Sequence, residues 1–379
     1  MEATPTYRLS FLSFAFALLI LASLGVATLW DMLDGPGSPR EEAIAKTPEV
    51  SLSLEALKKL PGDARFYLSK RYALKDEFID LDAFAKYRLL DRKWTREVSI
   101  GEDGFLFLRR GDALRQAQGR LVADEYELKV WAKQFAQTRR AFGERGVPFV
   151  FVVAPNKHSI YADRLPAWLG AVETSRSLAS QIIGEAHGAD LIAPDLTAHL
   201  ASIRKLSEEP ILYHRTDTHW TEYGAALAID HALKPLGFAL GAPEVVAQSV
   251  GRGGDLARLT GWRSDPSITA PFVKRSNTLE CFSGDSSFDL RTLNPLPIDR
   301  FTCENDKAAY GEVVVFMDSF GVSAAPTIAN AFRTSRFFWK YQVDLTVVDE
   351  LRPDLVMQII VERKLPILRP PLLLRGLAE

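Results

Sequence analysis

Residues 313–321, Val-Val-Val-Phe-Met-Asp-Ser-Phe-Gly, run from five consecutive apolar side chains straight into a polar turn. An apolar run without alternation marks a strand buried on both faces. Residues 147–154 (VPFVFVVA) read the same way, and residues 189–193, 343–348 and 355–361 are read as further strands. Helical periods lie between them. Residues 123–145 should form a helix ending at Gly143 or Gly146, and residues 176–187 and 199–205 two more. Another is capped by Thr221, buries Ala225, Ala226, Ile229 and Leu233, and stops before Pro235. Pro326 suits the first turn of a helix reaching Phe332. Strands alternating with helices predict an α/β fold, a mainly parallel sheet flanked by helices. Sites in such folds form at the carboxyl ends of the strands, which is where Ser319 falls.

The chain has 379 residues, 47% hydrophobic and 25% charged, enough for a large folded domain. A formal charge of −2 gives no electrostatic case for nucleic acid. The N-terminus differs from the rest. Residues 9–30 carry no charge, long enough to cross a bilayer as a helix. Arg8 precedes the run and Asp31 and Asp34 follow it, which predicts a cytoplasmic N-terminus and an exported remainder. The expected organisation is a tail (1–8), a transmembrane signal anchor (9–30), a linker or stalk (31–60) and one domain (61–379). A cleaved signal peptide is the alternative, with Gly25-Val26-Ala27 as its cleavage site. Cys281 and Cys303 are the only cysteines, and in an oxidising compartment they are a plausible disulfide pair. Two cysteines without a neighbouring histidine do not make a zinc site, and no metal is expected.

The chemistry rests on Asp217-Thr218-His219-Trp220 and on Asp318-Ser319-Phe320 a hundred residues later. A serine hydroxyl needs an imidazole to take its proton and a carboxylate to orient that imidazole. Asp217 and His219 are two apart, so in an extended segment both would project from one face, leaving the far imidazole nitrogen to Ser319. A lone Asp-x-His is more often a loop hydrogen bond. Gly251-Arg252-Gly253-Gly254 is a glycine-rich loop whose N–H groups could approach a reacting carbonyl; Arg252, Gly253 and Gly254 are the candidates there. It lacks the pattern of a phosphate loop. Lys157 and Tyr161, just past the strand ending at Ala154, are candidates to line a polar substrate cleft or are solvated loop residues. His214 is the other histidine expected near the site.

Five blocks in order carry a resemblance: Gly101-Glu102-Asp103-Gly104-Phe105-Leu106-Phe107; Val152-Val153-Ala154-Pro155-Asn156-Lys157; Tyr213 to Trp220; Gly254-Asp255-Leu256; and Asp318-Ser319-Phe320-Gly321. Together they resemble the alginate O-acetyltransferase family of SGNH-hydrolase-like proteins. The resemblance implies an SGNH-like domain outside the inner membrane that acetylates hydroxyls of an exported polysaccharide. It puts Asp217, His219 and Ser319 on the family's triad positions. It implies a polysaccharide acceptor, no bound cofactor, and a polytopic membrane O-acyltransferase as acetyl supplier, because acetyl-CoA is not expected outside the cytoplasm. No appended carbohydrate-binding module is expected after the last strand. Met317 departs from the glycine often found before such serines, and no oxyanion-hole asparagine can be assigned from the sequence. Two other functions share these features: an esterase removing acetyl groups, and a non-catalytic glycan-binding scaffold.

Overall fold

The structure, a computed structural model, describes residues 97–249, 254–260, 269–290, 299–368 and 373–376. The apolar run 9–30, the linker 31–60, residues 61–96, and Arg252 and Gly253 lie outside the described residues. Among the described residues no helix is long and apolar enough to cross a membrane.

A seven-stranded sheet organises the domain. Its strands are β1 (Phe149–Ala154), β2 (Leu279–Ser283), β3 (Ser286–Phe288), β4 (Arg300–Asn305), β5 (Tyr310–Met317), β6 (Phe332–Trp339) and β7 (Leu355–Val361), in the order β1-β7-β5-β6-β4-β2-β3. The first three pairings are parallel and the last three antiparallel, so the sheet is mixed rather than mainly parallel. The reason is connection length. β5 reaches β6 through a helix, Phe320–Ala331, which allows a parallel return. β2 reaches β3 through Gly284-Asp285, with Gly284 at φ 60°, and a two-residue link can only join antiparallel neighbours. Cys281 and Cys303 face each other across β2 and β4 and are joined as a disulfide. That bond closes a 22-residue separation, so replacing both cysteines by serine should lower stability by about 3 kcal/mol in denaturant titration. An unchanged midpoint under oxidising conditions would contradict this.

The parallel half is covered on both faces. Its helices are α1 (Glu125–Arg145), α2 (Leu178–Gly188), α3 (Leu196–Leu206), α4 (Glu222–Leu233) and α5 (Phe320–Ala331). Along β1, Phe149, Phe151 and Val153 pack with Trp131 and Phe135 of α1 and Ile182 of α2. Val150, Val152 and Ala154 pack with Leu200 of α3, Ile229 of α4 and Ile328 of α5. Both faces are dry, which is why the strand shows no alternation. Each fully buried Phe or Ile contributes roughly 1.5–3 kcal/mol.

Helix ends follow their local chemistry. Asp124 accepts from Glu127 N at the start of α1, and Gly146, at φ 64°, ends it. Thr221 caps α4 by accepting from Gly224 N, and a 3-10 turn over Lys234–Leu236 stops it. Three expected elements differ. Residues 189–193 contribute only an isolated bridge, Val150 to Ile192, because edge pairing there lasts one residue. Residues 343–348 turn helical after Asp344, whose side chain accepts from Thr346 N and so caps a helix over Leu345–Leu351. α5 begins directly after Ser319, and Pro326 lies inside it rather than in its first turn.

Candidate active site

The ends of β1, β7 and β5 form one edge of the sheet, and the site grows from it. Ser319 follows β5 and opens α5. The turn that holds it is built by Asp318, which is 2% exposed. Its Oδ1 accepts from Phe320 N at 2.8 Å and its Oδ2 from Val361 N at 2.8 Å, tying the serine turn to the end of β7. Burial raises the Asp318 pKa against those two bonds. Ser319 N donates to no protein acceptor among the described residues. Met317 does not crowd the turn. A Cβ on Gly321 would sit 2.3 Å from Met317 Sδ, so the absent side chain at 321 makes the room that the methionine occupies.

Asp217 and His219 come from a narrow loop closed at its base by an antiparallel bridge between Tyr213 and Trp220. His214 N donates to His219 O at 3.2 Å across the loop. The loop is a turn rather than an extended segment, so period-two alternation is not what aligns the pair. Asp217 Oδ1 accepts from His219 N at 3.0 Å and also meets His219 Nδ1 at 2.6 Å. A side-chain oxygen bonding the backbone two residues on is an Asx-type turn, and it places the imidazole on the same oxygen. His219 Nε2 lies 2.8 Å from Ser319 Oγ. The indole of Trp220 donates to Phe320 O at 2.9 Å, locking the histidine loop to the serine helix across a hundred residues.

The electrostatics fit these contacts. Burial opposes a charge on Asp217, yet the imidazole beside it and the Asp255 N–H hold its carboxyl well below the usual range. For His219, burial disfavours the cation, but the Asp217 charge and hydrogen bond outweigh it and raise the imidazole pKa. His214 is lowered to about 4, chiefly by burial.

The remaining expected residues are placed differently from their sequence reading. Lys157 is 2% exposed, so its side chain is buried rather than solvated. Its Nζ donates to the carbonyls of Asp217, His214 and Arg215 at 2.7, 2.9 and 3.0 Å, which makes it a strut beneath the Asp217 loop. Burial lowers its pKa to about 7, and three accepting carbonyls favour the three-donor ammonium form. Tyr161 is 1% exposed, and its hydroxyl accepts from Leu212 N at 2.9 Å. It walls a charged groove whose lining includes none of Asp217, His219 and Ser319. Gly254 backs the acid instead of facing an acyl group. Its N donates to Thr216 Oγ1 at 3.2 Å, and a Cβ there would lie 2.3 Å from Asp217 Cβ. The following N–H, of Asp255, donates to Asp217 Oδ2 at 2.8 Å.

Asp217, His219 and Asp255 are the one group among the described residues with metal-ligand types close together. Their oxygens already have donors: Asp255 Oδ1 and Oδ2 accept from Thr218 N and Oγ1 at 2.7 and 2.6 Å. Asp255 and Trp220 have a place in the sequence motifs but no role there, and sequence reasoning did not single out Arg363. Arg363 had a usable signal, as a polar residue two positions beyond Val361, where β7 ends.

Comparison with known proteins names the class. Residues 98–279 match the family of the SGNH hydrolase-like domain, acetyltransferase AlgX. That segment, just under half of the chain, is similar to the AlgX- and AlgJ-type SGNH hydrolase-like domains. The match contains Asp217 and His219 and ends before Ser319. Among individual proteins, the chain is 28% identical over 215 residues to the probable alginate O-acetylase AlgJ of Pseudomonas aeruginosa. That alignment covers 56% of this chain and 48% of AlgJ, so the chain matches about half of that relative's length. In structure it resembles Bacillus cereus PatB1, with a TM-score of 0.51 and 14% identity over 69% of this chain and 95% of that one. The O-acetyltransferase domain of Pseudomonas putida AlgJ gives a TM-score of 0.42 and 17% identity over 72% of this chain and 92% of that one.

Proposed function

We propose that the protein is an O-acetyltransferase that moves acetyl groups onto hydroxyls of a polysaccharide through an acyl-enzyme on Ser319. The observation that carries this reading is the continuous hydrogen-bonded series from Asp217 Oδ1 through His219 to Ser319 Oγ, at 2.6 and 2.8 Å. His219 Nε2 takes the Ser319 proton as Oγ attacks the acetyl carbonyl of the donor. The tetrahedral oxyanion faces the N–H of Ser319, a contact of a kind that supplies roughly 3 kcal/mol in acyl-transfer enzymes. The donor's oxygen leaves with the proton held by His219. An acceptor hydroxyl then gives its proton to Nε2, attacks the acyl carbon, and Ser319 Oγ leaves and recovers a proton from His219. Asp217 keeps Nδ1 protonated throughout, so Nε2 is the basic nitrogen.

The AlgJ relative supports an alginate-like polysaccharide as acceptor. The uncharged run 9–30 supports an inner-membrane anchor holding the domain outside the cytoplasm, with a polytopic membrane acyltransferase delivering the acetyl groups. The test uses the full chain with 4-nitrophenyl acetate and an oligosaccharide acceptor, following nitrophenolate release and acceptor mass together. Acetylated acceptor that depends on Ser319 is the expected result. Acetate release with no acetylated acceptor would replace the transferase by an esterase. Inactivity on both counts, with glycan binding retained, would leave a scaffold.

The pH profile follows from the raised His219 pKa. Only neutral imidazole accepts the serine proton, so activity rises with pH as His219 loses its own. The acid limb of kcat/KM should therefore have its midpoint above 6.5, the ordinary histidine value. A midpoint below that value would mean that Asp217 does not stabilise the imidazolium.

A further inference from the structure

Lys157 opens a short helix, Lys157–Ile160, at the carboxyl end of β1, and the acyl-transfer steps above make no use of it. Its ammonium is enclosed on two sides. On one, the carbonyls of His214, Arg215 and Asp217 take one hydrogen bond each. On the other, Nζ lies 5.8 Å from the centre of the Phe105 ring and 5.4 Å from that of Phe107. Carbonyl oxygens and aromatic faces are the neutral partners that suit a buried cation.

The three carbonyls belong to the loop that carries Asp217 and His219. Arg215 O also accepts from Leu106 N at 2.8 Å, but Asp217 O has no donor besides Lys157 among the described residues. Lys157 is therefore the backbone tether of the acid. The other holds on the loop lie elsewhere: the Tyr213–Trp220 bridge closes its base, and Asp255 grips Thr218 and Asp217 Oδ2. Donor count decides what the loss of a proton does. An ammonium offers three N–H groups, whereas the neutral amine offers two and turns a lone pair toward the third carbonyl. In a dry site that contact is repulsive and leaves an acceptor unsatisfied. The groups around Nζ pull in both directions. Burial lowers its pKa to about 7, against the charges of Asp217 and Asp255, which favour the ammonium. His158 and His214, lowered to about 3 and about 4 chiefly by burial, are uncharged at neutral pH. The Arg215 guanidinium shares the Phe105 ring, 5.8 Å from its centre.

We propose that Lys157 is a positioning residue that holds Asp217 against His219 only while its ammonium is intact, so that the triad comes apart when Lys157 loses its proton. This rests on the acetyl-transfer reading and adds a control on it: His219 must lose a proton for activity, and Lys157 must keep one.

The test compares the full chain with Lys157→Met, which keeps most of the stem and removes the three donors. In the wild type, kcat should fall again at alkaline pH, with a midpoint below 10.5, the ordinary lysine value. In the variant kcat should be lower by about a hundredfold, the cost of misplacing a catalytic group by roughly 1 Å. KM for the acceptor should stay unchanged and the alkaline limb should be gone. A limb that survives in the variant, or a raised KM with native kcat, would overturn the proposal. A second readout needs no turnover and so stands apart from the acetyl-transfer reading. NMR titration of His219 in the variant should give a pKa below the wild-type value, because the Asp217 contact that raises it is lost. Deleting a cation with the loop still in place would instead raise it, so an unchanged or raised value refutes the clamp. If the variant does not fold, the wild type alone decides. The His219 Nδ1 resonance should show, beside the imidazole's own step, a second step that coincides with the titration of Lys157 Nζ, as the ring loses its tautomer bias. A single step overturns the proposal.

Discussion

Ser319→Ala should lower acetyl transfer and ester hydrolysis together, by at least about a thousandfold, with no loss of fold. The loss is large because Oγ is the atom that forms and breaks the acyl bond. Nothing nearby can replace it: His219 Nε2 would point at a methyl group, and Asp318 is turned away, holding Phe320 N and Val361 N. Stability should hardly move. Among the described residues Ser319 Oγ hydrogen-bonds only to His219, whereas the turn is held by Asp318 and by the Trp220 indole on Phe320 O. Steady-state rates and a thermal melt on the same preparation check both halves. Substantial hydrolysis surviving in the variant would remove Ser319 from the chemistry.

Asp217→Asn should lower kcat by about 10³–10⁴-fold while leaving the loop in place. The geometry gives the substitution two bad options. With its amide oxygen toward His219, the new NH2 group meets the Asp255 N–H where Asp217 Oδ2 accepts at 2.8 Å, donor against donor. A buried N–H left without an acceptor costs about 1–3 kcal/mol. With the amide reversed, NH2 faces Nδ1 across a contact that is 2.6 Å in the native protein. The imidazole proton must then sit on Nε2, and the ring can no longer accept from Ser319. Measuring kcat beside the unfolding midpoint separates the two: a rate loss with a native midpoint reports the tautomer, and a lowered midpoint reports the orphaned N–H. A variant with native kcat would sink the assigned role of Asp217.

Much of this was readable from local chemistry. The run 313–317 announced a doubly covered strand because alternation vanishes when both faces are dry. Thr221 and Gly146 announced helix ends because caps act within a few residues. The histidine, acid and serine stood out by type and by position after a strand. The antiparallel half of the sheet was not read as such. The Gly284-Asp285 link that makes β2 and β3 antiparallel neighbours stands among many polar and turn-forming residues, so the short hairpin carries no distinct periodic signal. Lys157 was misread for a different reason: a lysine after a strand is normally solvated, and only the loop carrying Asp217 folding over it supplies three carbonyls.

By itself the sequence determined the central strands and the long helices, and which residue types could perform acyl transfer, because propensity, caps and periodicity act over a few residues. Only the tertiary structure decided which of those residues meet. His219 reaches Ser319 through Trp220 on Phe320 and through an Asx turn at Asp217, and Arg363 reaches the same edge because β7 lies beside β5. The His219–Ser319 and Trp220–Phe320 contacts join positions a hundred residues apart. No local rule encodes them, since hydrogen-bond geometry and sheet order exist only once the chain has packed.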